Sequence, residues 1–216
     1  METHVVVRVW LPDRPGALGL VASRIGATGA DIVGIEVLER SEHVAVDEFA
    51  VVLPREDLVK LLVREVEEVD GVSVEEWRVV DAFPDPRVDA LVAVEEICTA
   101  SGFDDLAARL VASVRAEFAA DWVALLRGDA VLAEAGGGVP RAQVLHALAT
   151  GTSASPVVAA GRAGPDDLAV APLPAHDALL MAGRDGHPFR SRERSQLVAL
   201  ARVANRVASL LQPRSR

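Results

Sequence analysis

Cysteine, tyrosine and long apolar runs are what this chain of 216 residues has least of. Its one cysteine, Cys98, excludes an internal disulfide and a cysteine-based metal cluster, and it suits a reducing compartment. No run approaches the roughly 18–20 uncharged apolar residues that cross a bilayer. The segment from Met1 to Leu11 lacks the basic start, apolar core and cleavage site of a signal peptide. We therefore expect a cytoplasmic protein with no membrane partner.

Positive charge is also scarce, because 22 Lys and Arg residues face 32 Asp and Glu residues, a net charge of −10. Nonspecific nucleic-acid binding depends on neutralising phosphates, so we expect no nucleic-acid partner. The excess acid lies in residues 1–80, which hold 8 basic and 16 acidic side chains. One group of arginines near the C-terminus is interpreted as the solvated face of an amphipathic helix: Arg190, Arg192, Arg194, Arg202 and Arg206.

Half of the residues are apolar and a quarter are charged, which is the composition of a folded globular protein. A length of 216 residues suits two cores, since domains typically hold about 100–150 residues. The segment 82–87 contains two prolines and no periodicity, so it is the predicted linker. We therefore predict one domain over residues 1–81 and a second over residues 88–212.

Hydrophobic periodicity in the first domain predicts a β-α-β-β-α-β order, which is the ferredoxin-like α+β arrangement of one sheet with two helices on one face. The predicted elements are a strand through Val5 to Leu11, a helix from Ala17 to Gly26, strands over 31–40 and 43–53, a helical stripe over 58–69 and a strand over 72–80.

Periodicity in the second domain predicts a set of short strands with helices before and after them, which is an α/β or α+β pattern. Helices are predicted over 91–98, 106–118, 141–150 and 191–211, and strands over 122–126, 130–134, 157–160, 168–171 and 177–182. Cys98 falls on the predicted apolar face of the first of these helices, so we expect its thiol to be a buried structural group.

Three stretches of the first domain carry a family resemblance, namely Leu11–Leu18 (LPDRPGAL), Gly29–Glu36 (GADIVGIE) and Asp47–Val52 (DEFAVV). With these motifs in this order, residues 4–80 resemble the ACT domain. The resemblance implies a small-molecule receptor, usually for amino acids, that assembles in pairs or larger sets and controls an attached or partner protein.

The second domain resembles a GAF domain, in which helices flank a central antiparallel sheet. The stretch Asp177–Leu197 carries this resemblance, as a strand, a turn with Pro-Phe and a closing helix. The cyclic-nucleotide signature of that family is not recognisable, and no cysteine is placed to hold a bilin.

The first predicted ligand contact is the loop that leads from the first strand to the first helix. Exposed N–H groups at a helix start, together with the helix dipole, can hold an anionic carboxylate. Gly16 allows close approach to the backbone and Pro15 presets the first helical turn. The predicted residues are Asp13, Arg14, Pro15, Gly16, Ala17 and Leu18. The alternative is a simple strand-to-helix turn, capped by Asp13, that binds nothing.

The second predicted contact is Gly29, Ala30, Asp31 and Ile32 at the start of the second strand. The ACT resemblance implies that this corner faces the loop across an interface between two copies, where many members have asparagine instead of Asp31. An aspartate there could accept from a ligand ammonium group. It could equally be a turn residue that binds its own backbone.

The residue types that commonly catalyse reactions or bind metals are scattered along the chain rather than grouped in a motif. The histidines have neither HExxH nor paired-ligand spacing, and we interpret them as surface or structural residues: His4, His43, His146, His176 and His187. Gly136–Gly138 lacks the endings of a phosphate or dinucleotide loop. We therefore predict no enzymatic activity, no metal and no cofactor.

The expected function is a non-catalytic regulatory or sensor protein. A free amino acid would bind between two ACT modules and favour one arrangement of them, since its contacts exist only there. The expected partners are this effector, a second or further copies of the chain, and a regulated protein. The alternative is a dimeric scaffold or protein-interaction adaptor with degenerate pockets.

Overall fold

The structure, a computed structural model, describes residues 2–161 and 164–211, with only the backbone of Ser153. It divides into two compact α+β units, Met1–Pro84 (unit 1) and Asp85–Arg216 (unit 2). Each unit contains one four-stranded antiparallel sheet. No helix among the described residues is long and apolar enough to span a membrane.

Unit 1 has the predicted β-α-β-β-α-β order, with a short 3-10 turn before its second helix. Its elements are β1 (Thr3–Pro12), α1 (Ala17–Ala27), β2 (Asp31–Arg40), β3 (Val44–Leu53), α2 (Val59–Glu67) and β4 (Ser73–Val80). The strand order is β2-β3-β1-β4, so β2 and β4 are the edges. Alternate residues of β1 and β3 pack with both helices in one core, because strand side chains alternate between faces.

Unit 2 places three helices on one face of its sheet. Its elements are α3 (Pro86–Cys98), α4 (Phe103–Glu117), β5 (Trp122–Arg127), β6 (Ala130–Gly136), α5 (Ala142–Ser153), α6 (Pro156–Ala159), β7 (Leu168–Leu173), β8 (Ala178–Gly183) and α7 (Ser191–Leu211). The strand order is β6-β5-β8-β7. The main core joins the sheet to α3, α4 and α7, and a smaller cluster around Leu145 of α5 covers the other face.

Two predicted segments of unit 2 differ from the structure. The strand predicted over 157–160 is wrong, because Pro156 occupies the first turn of helix α6 and Val157 stays exposed. Helix α3 begins at Pro86, inside the predicted linker. Asp85 caps it by accepting from the backbone N–H groups of Arg87 and Val88 at 3.1 and 3.2 Å. In both segments a proline that suggests a break instead starts a helix.

The predicted burial of two groups of side chains is also wrong. Cys98 is exposed, since α3 packs through Ala93 and Ile97 instead. Arg190 and Arg194 are buried rather than solvated, at 5% and 6% exposure. Arg194 donates to backbone carbonyl oxygens that come from distant parts of the chain, which the helical pattern of α7 does not reveal.

Candidate functional site

The predicted ligand loop lies at the N-terminus of α1, a region we call the α1 corner (residues 13–18). Gly16 is the N-cap with φ 90°, a left-handed conformation that favours glycine, and no described side chain caps the helix. A Cβ added at Gly16 would meet no described atom within 4 Å. The first-turn N–H groups of a helix have no intrahelical acceptor. Here the N–H of Ala17 donates to the backbone oxygen of Arg14 at 3.2 Å, which leaves the N–H groups of Gly16, Leu18 and Gly19 as the donors that this corner can offer.

Asp13 does not act as the helix cap that the alternative hypothesis gave it. Its carboxylate instead forms a bidentate ion pair with Arg40, with 2.8 Å from Nη2 to Oδ1 and 3.2 Å from Nε to Oδ2. The sheet register explains this contact, because Leu11 of β1 and Arg40 of β2 both pair with Ala45 of β3. The hydrogen bond to Asp13, and then its charge, raises the pKa of the Arg40 guanidinium.

Asp47 is a buried carboxyl group beside this ion pair. It lies on β3 between Val9 and Val37, on the helix-covered face, and is 3% exposed. Its Oδ1 has no hydrogen-bond partner in the described part of the chain. Burial raises the pKa of Asp47, the negative charge of Asp13 raises it further, and Arg40 lowers it.

Arg40 and Asp47 were not among the site residues predicted from the sequence. Asp47 could have been found, since the inward positions Phe49, Val51 and Leu53 extend back by two residues to an aspartate. An acid at an inward strand position is unusual, because a buried charge needs a partner. Arg40 had no such local signal, since only the pairing of distant strands brings it to Asp13.

The second predicted cluster lies at the other end of the same sheet. Asp31 starts β2 and pairs with Val52, while Arg40 ends β2 beside Ala45. Nine residue steps of extended chain separate Asp31 from Arg40, which is about 30 Å at the usual rise of a strand. Asp31 is exposed, and none of the hydrogen bonds described for unit 1 involves its side chain. One copy of unit 1 therefore does not bring the two predicted clusters together.

An apolar edge connects these two ends of unit 1. Strand β2 is an edge of the sheet and exposes Val33, Ile35 and Val37 at 53%, 43% and 41%. Leu18, in the first turn of α1, is 39% exposed. A long edge strand with apolar side chains and unpaired backbone groups is a template for pairing with another strand.

Two of the open cavities formed by described residues lie in unit 2. One has a volume of about 520 Å³ and is lined in part by Leu126, His146 and Asp177. The other, of about 590 Å³, is lined in part by Trp122, Asp167 and Arg184. Their charged linings are partly used by the protein itself, since His146 Nδ1 lies 2.7 Å from Asp129 Oδ1 and Arg184 is bonded throughout.

Metal chemistry has no evident centre in residues 2–161 and 164–211, where no group of three or more His, Cys, Asp or Glu side chains could hold an ion. The α1 corner of unit 1 brings together helix-start N–H groups, the exposed guanidinium of Arg40 and the carboxylates of Asp13 and Asp47.

Comparison with known proteins adds little to this description. No family model matches the sequence, and no curated protein matches it significantly. Among solved structures, the chain is similar to a crystal structure of an unknown protein from Galdieria sulphuraria, with 14% sequence identity and a TM-score of 0.35. The likeness covers 95% of this chain and 94% of that one, but a TM-score this low carries no argument. The ACT and GAF resemblances stay predictions.

Proposed function

We propose that this protein is a non-catalytic sensor that binds a free amino acid at the α1 corner and signals through the geometry of a homodimer. The observation that carries the proposal is the open, uncapped start of α1 at Gly16. Free N–H groups and the positive end of the helix dipole are good partners for a carboxylate. The α1 corner therefore offers donors to the α-carboxylate of an amino acid.

A second copy would complete this site. If two copies pair antiparallel along β2 about a twofold axis, the start of one β2 lies beside the end of the other. Asp31 of one copy then approaches the Asp13–Arg40 pair of the other. The two clusters that are about 30 Å apart in one chain would meet across the interface. Asp31 could there accept hydrogen bonds from the ligand's ammonium group.

Such a site would couple binding to assembly. A ligand held by residues of two copies makes all of its contacts only when those copies are correctly paired. It therefore stabilises that arrangement over others by the difference in its contact free energy. The altered dimer, rather than any reaction, would be the signal to a regulated protein.

The first test is a thermal-shift screen with the twenty amino acids, followed by calorimetry. We expect one of them to raise the Tm, since a ligand that binds only the folded state stabilises it. Gly16→Val and Asp31→Ala should each abolish the stabilisation. The matched control is Gly128→Val, because Gly128 also has positive φ with open space around it but lies in unit 2. Equal loss of binding in that control would contradict the proposal.

The second test asks whether the site needs two copies. Ile35→Lys places a charge on the β2 edge, which should block strand pairing and leave a monomer that no longer responds to the amino acid. Val79→Lys is the control, since Val79 is exposed to a similar degree, 46%, on the other edge strand, β4. Light scattering and the same thermal shift check both variants. A monomeric Ile35→Lys protein that still responds would show that one copy suffices.

One observation favours the alternative function, a dimeric scaffold or adaptor. Helix α3 exposes Val88, Leu91 and Val92 at 52%, 69% and 48%, and their spacing places them on one helix face. A contiguous apolar face of this kind often contacts another protein. Under this alternative the amino-acid screen stays flat, while Leu91→Lys changes the oligomeric state.

A further inference from the structure

The buried carboxyl of Asp47 is a feature that the proposed function does not use. It is 3% exposed, and its Oδ1 lacks a hydrogen-bond partner in the described parts of the chain. The nearby cation, Arg40, is already committed, because its guanidinium holds Asp13 through two nitrogen atoms. A carboxylate removed from water without a partner is costly, so this corner gains from the arrival of a further cation.

Asp47 lies close to the surface at which an effector would bind. It is one strand inside the edge, and its paired residue on β2, Val37, is 41% exposed. Arg40, whose side chain is 67% exposed, comes from the end of that same strand. Exposed side chains change rotamer readily, so Arg40 can adjust its position when a guest approaches this corner.

The charges of the completed site can then be compared with those of a ligand. The start of α1 provides for one anionic group. Asp13 and Arg40 neutralise each other. Asp31 of the second copy would accept the ammonium group, as proposed above, and the buried Asp47 of the first copy would remain as a second carboxyl group near the ligand. An ordinary amino acid brings one carboxylate and one ammonium group, and so it leaves one of these two acids without a partner.

We propose that the effector is a basic amino acid, whose second cationic group pairs with the Asp47 carboxyl beside the α1 corner. The proposal rests on the proposed function and deepens it, because it names the class of amino acid. The side chains of lysine and arginine carry a positive charge that could pair with Asp47, at the end of a flexible stem that could extend past Arg40. Neutral analogues of the same length lack that charge.

The test compares ligands of similar shape and different charge on the full chain. Calorimetry measures the affinity for L-lysine and L-arginine against L-norleucine and L-citrulline, their neutral counterparts. We expect at least one basic ligand to bind more than about tenfold tighter than its neutral counterpart, the size of effect that one charge-assisted contact can give. Asp47→Asn should bring the two affinities within a factor of about two, whereas Asp57→Asn, an exposed carboxylate of unit 1, should not.

The outcomes separate the two proposals. If a neutral amino acid binds as tightly as its basic counterpart, or if Asp47→Asn keeps the preference, the assignment of a basic effector is wrong and the amino-acid sensor stands. If none of the twenty amino acids binds, both fail. The ligand comparison uses the unchanged protein, so it decides the question even if Asp47→Asn does not fold.

Discussion

Arg184 of unit 2 and Asp47 of unit 1 are both buried charged residues, but their surroundings are opposite. In unit 2, Arg184 is 7% exposed, and its five N–H donors reach three backbone carbonyl oxygens and both oxygens of Glu193, at 2.8–3.0 Å. Its guanidinium also lies 4.4 Å from the centre of the Phe189 ring. In unit 1, Asp47 is more deeply buried but has a carboxyl oxygen with no partner among the described residues.

Arg184 is thus a charged group that stabilises its unit, whereas Asp47 is a buried group that its unit leaves without a partner on one oxygen. The bonds of Arg184 tie the end of α4 and the turn after β8 to the start of α7, so its charge is fully used by the protein. Removing one partner of such a buried pair leaves the other uncompensated. Asp47 makes no comparable set of bonds in unit 1. Replacing it should therefore raise the free energy of unfolding rather than lower it.

The largest effect is expected from Arg184→Met, which keeps the apolar stem and removes every bond. The Glu193 carboxylate, with a side chain 13% exposed, would stay buried beside an uncharged residue. Breaking a buried ion pair in this way costs about 3–5 kcal/mol. Urea unfolding measures the loss, and the control is Arg202→Met, which removes an exposed arginine from α7, the helix that contains Glu193. A loss below about 1 kcal/mol would show that the network is redundant.

The opposite sign is expected for Asp47→Asn. Above its raised pKa the wild-type carboxylate is charged and buried, so the amide should raise the free energy of unfolding by about 1 kcal/mol at neutral pH. The gain should shrink as the pH falls through that pKa and should be lost below the ordinary value of 3.8, where the acid is neutral in both states.

Unfolding of the Asp47→Asn protein at about pH 7.5 and about pH 4.5 checks both the sign and the pH dependence. Asp57→Asn is again the control, because that carboxylate is 68% exposed. A variant less stable than the wild type at the higher pH would mean that Asp47 already has a stabilising partner in the fold. The contrast between Asp47 and Arg184 would then be lost.

The sequence predicted most of unit 1 because its elements depend on local patterns. The alternation of Val5, Val7, Val9 and Leu11 defines a strand, and Pro15-Gly16 defines the turn into α1. The positions of the candidate site followed from the same turn. Unit 2 was less predictable where segments are short, as in the four residues of α6, for which strand and helix preferences differ little.

What the sequence could not predict depends on contacts between distant segments. The Asp13–Arg40 pair exists because β1 and β2 flank the same residue of β3. The burial of Arg194 depends on carbonyl oxygens of Pro165 and Leu168, far from it in the chain. A helical pattern of exposed arginines looks the same whether or not such acceptors are present, so only the fold distinguishes a solvated arginine from a buried one.

The smallest effect is expected from Asp105→Asn. This variant compares Asp47 with a carboxylate of unit 2 that does have hydrogen-bond partners. Hydrogen bonds from the backbone N–H of Ser101, from Arg109 and from the Ser101 hydroxyl lower the pKa of Asp105. Its contribution to stability is therefore present above its ordinary pKa and is lost as the pH falls through the lowered one. Unlike the replacement of Asp47, the replacement of Asp105 should therefore lower the stability at neutral pH.

Asp104→Asn is a close control, because it removes a charge from the same first turn of α4 and so changes the helix dipole interaction equally. Hydrogen exchange measured at neutral pH reads the stability of unit 2 separately from that of unit 1. Asp105→Asn should speed exchange in α4 more than Asp104→Asn does, because only Asp105 holds the N–H of Ser101, at 2.9 Å. Equal exchange rates in the two variants would mean that Asp105 stabilises α4 only through the helix dipole. Its hydrogen bonds would then contribute nothing, and Asp105 would differ from Asp47 only in its exposure.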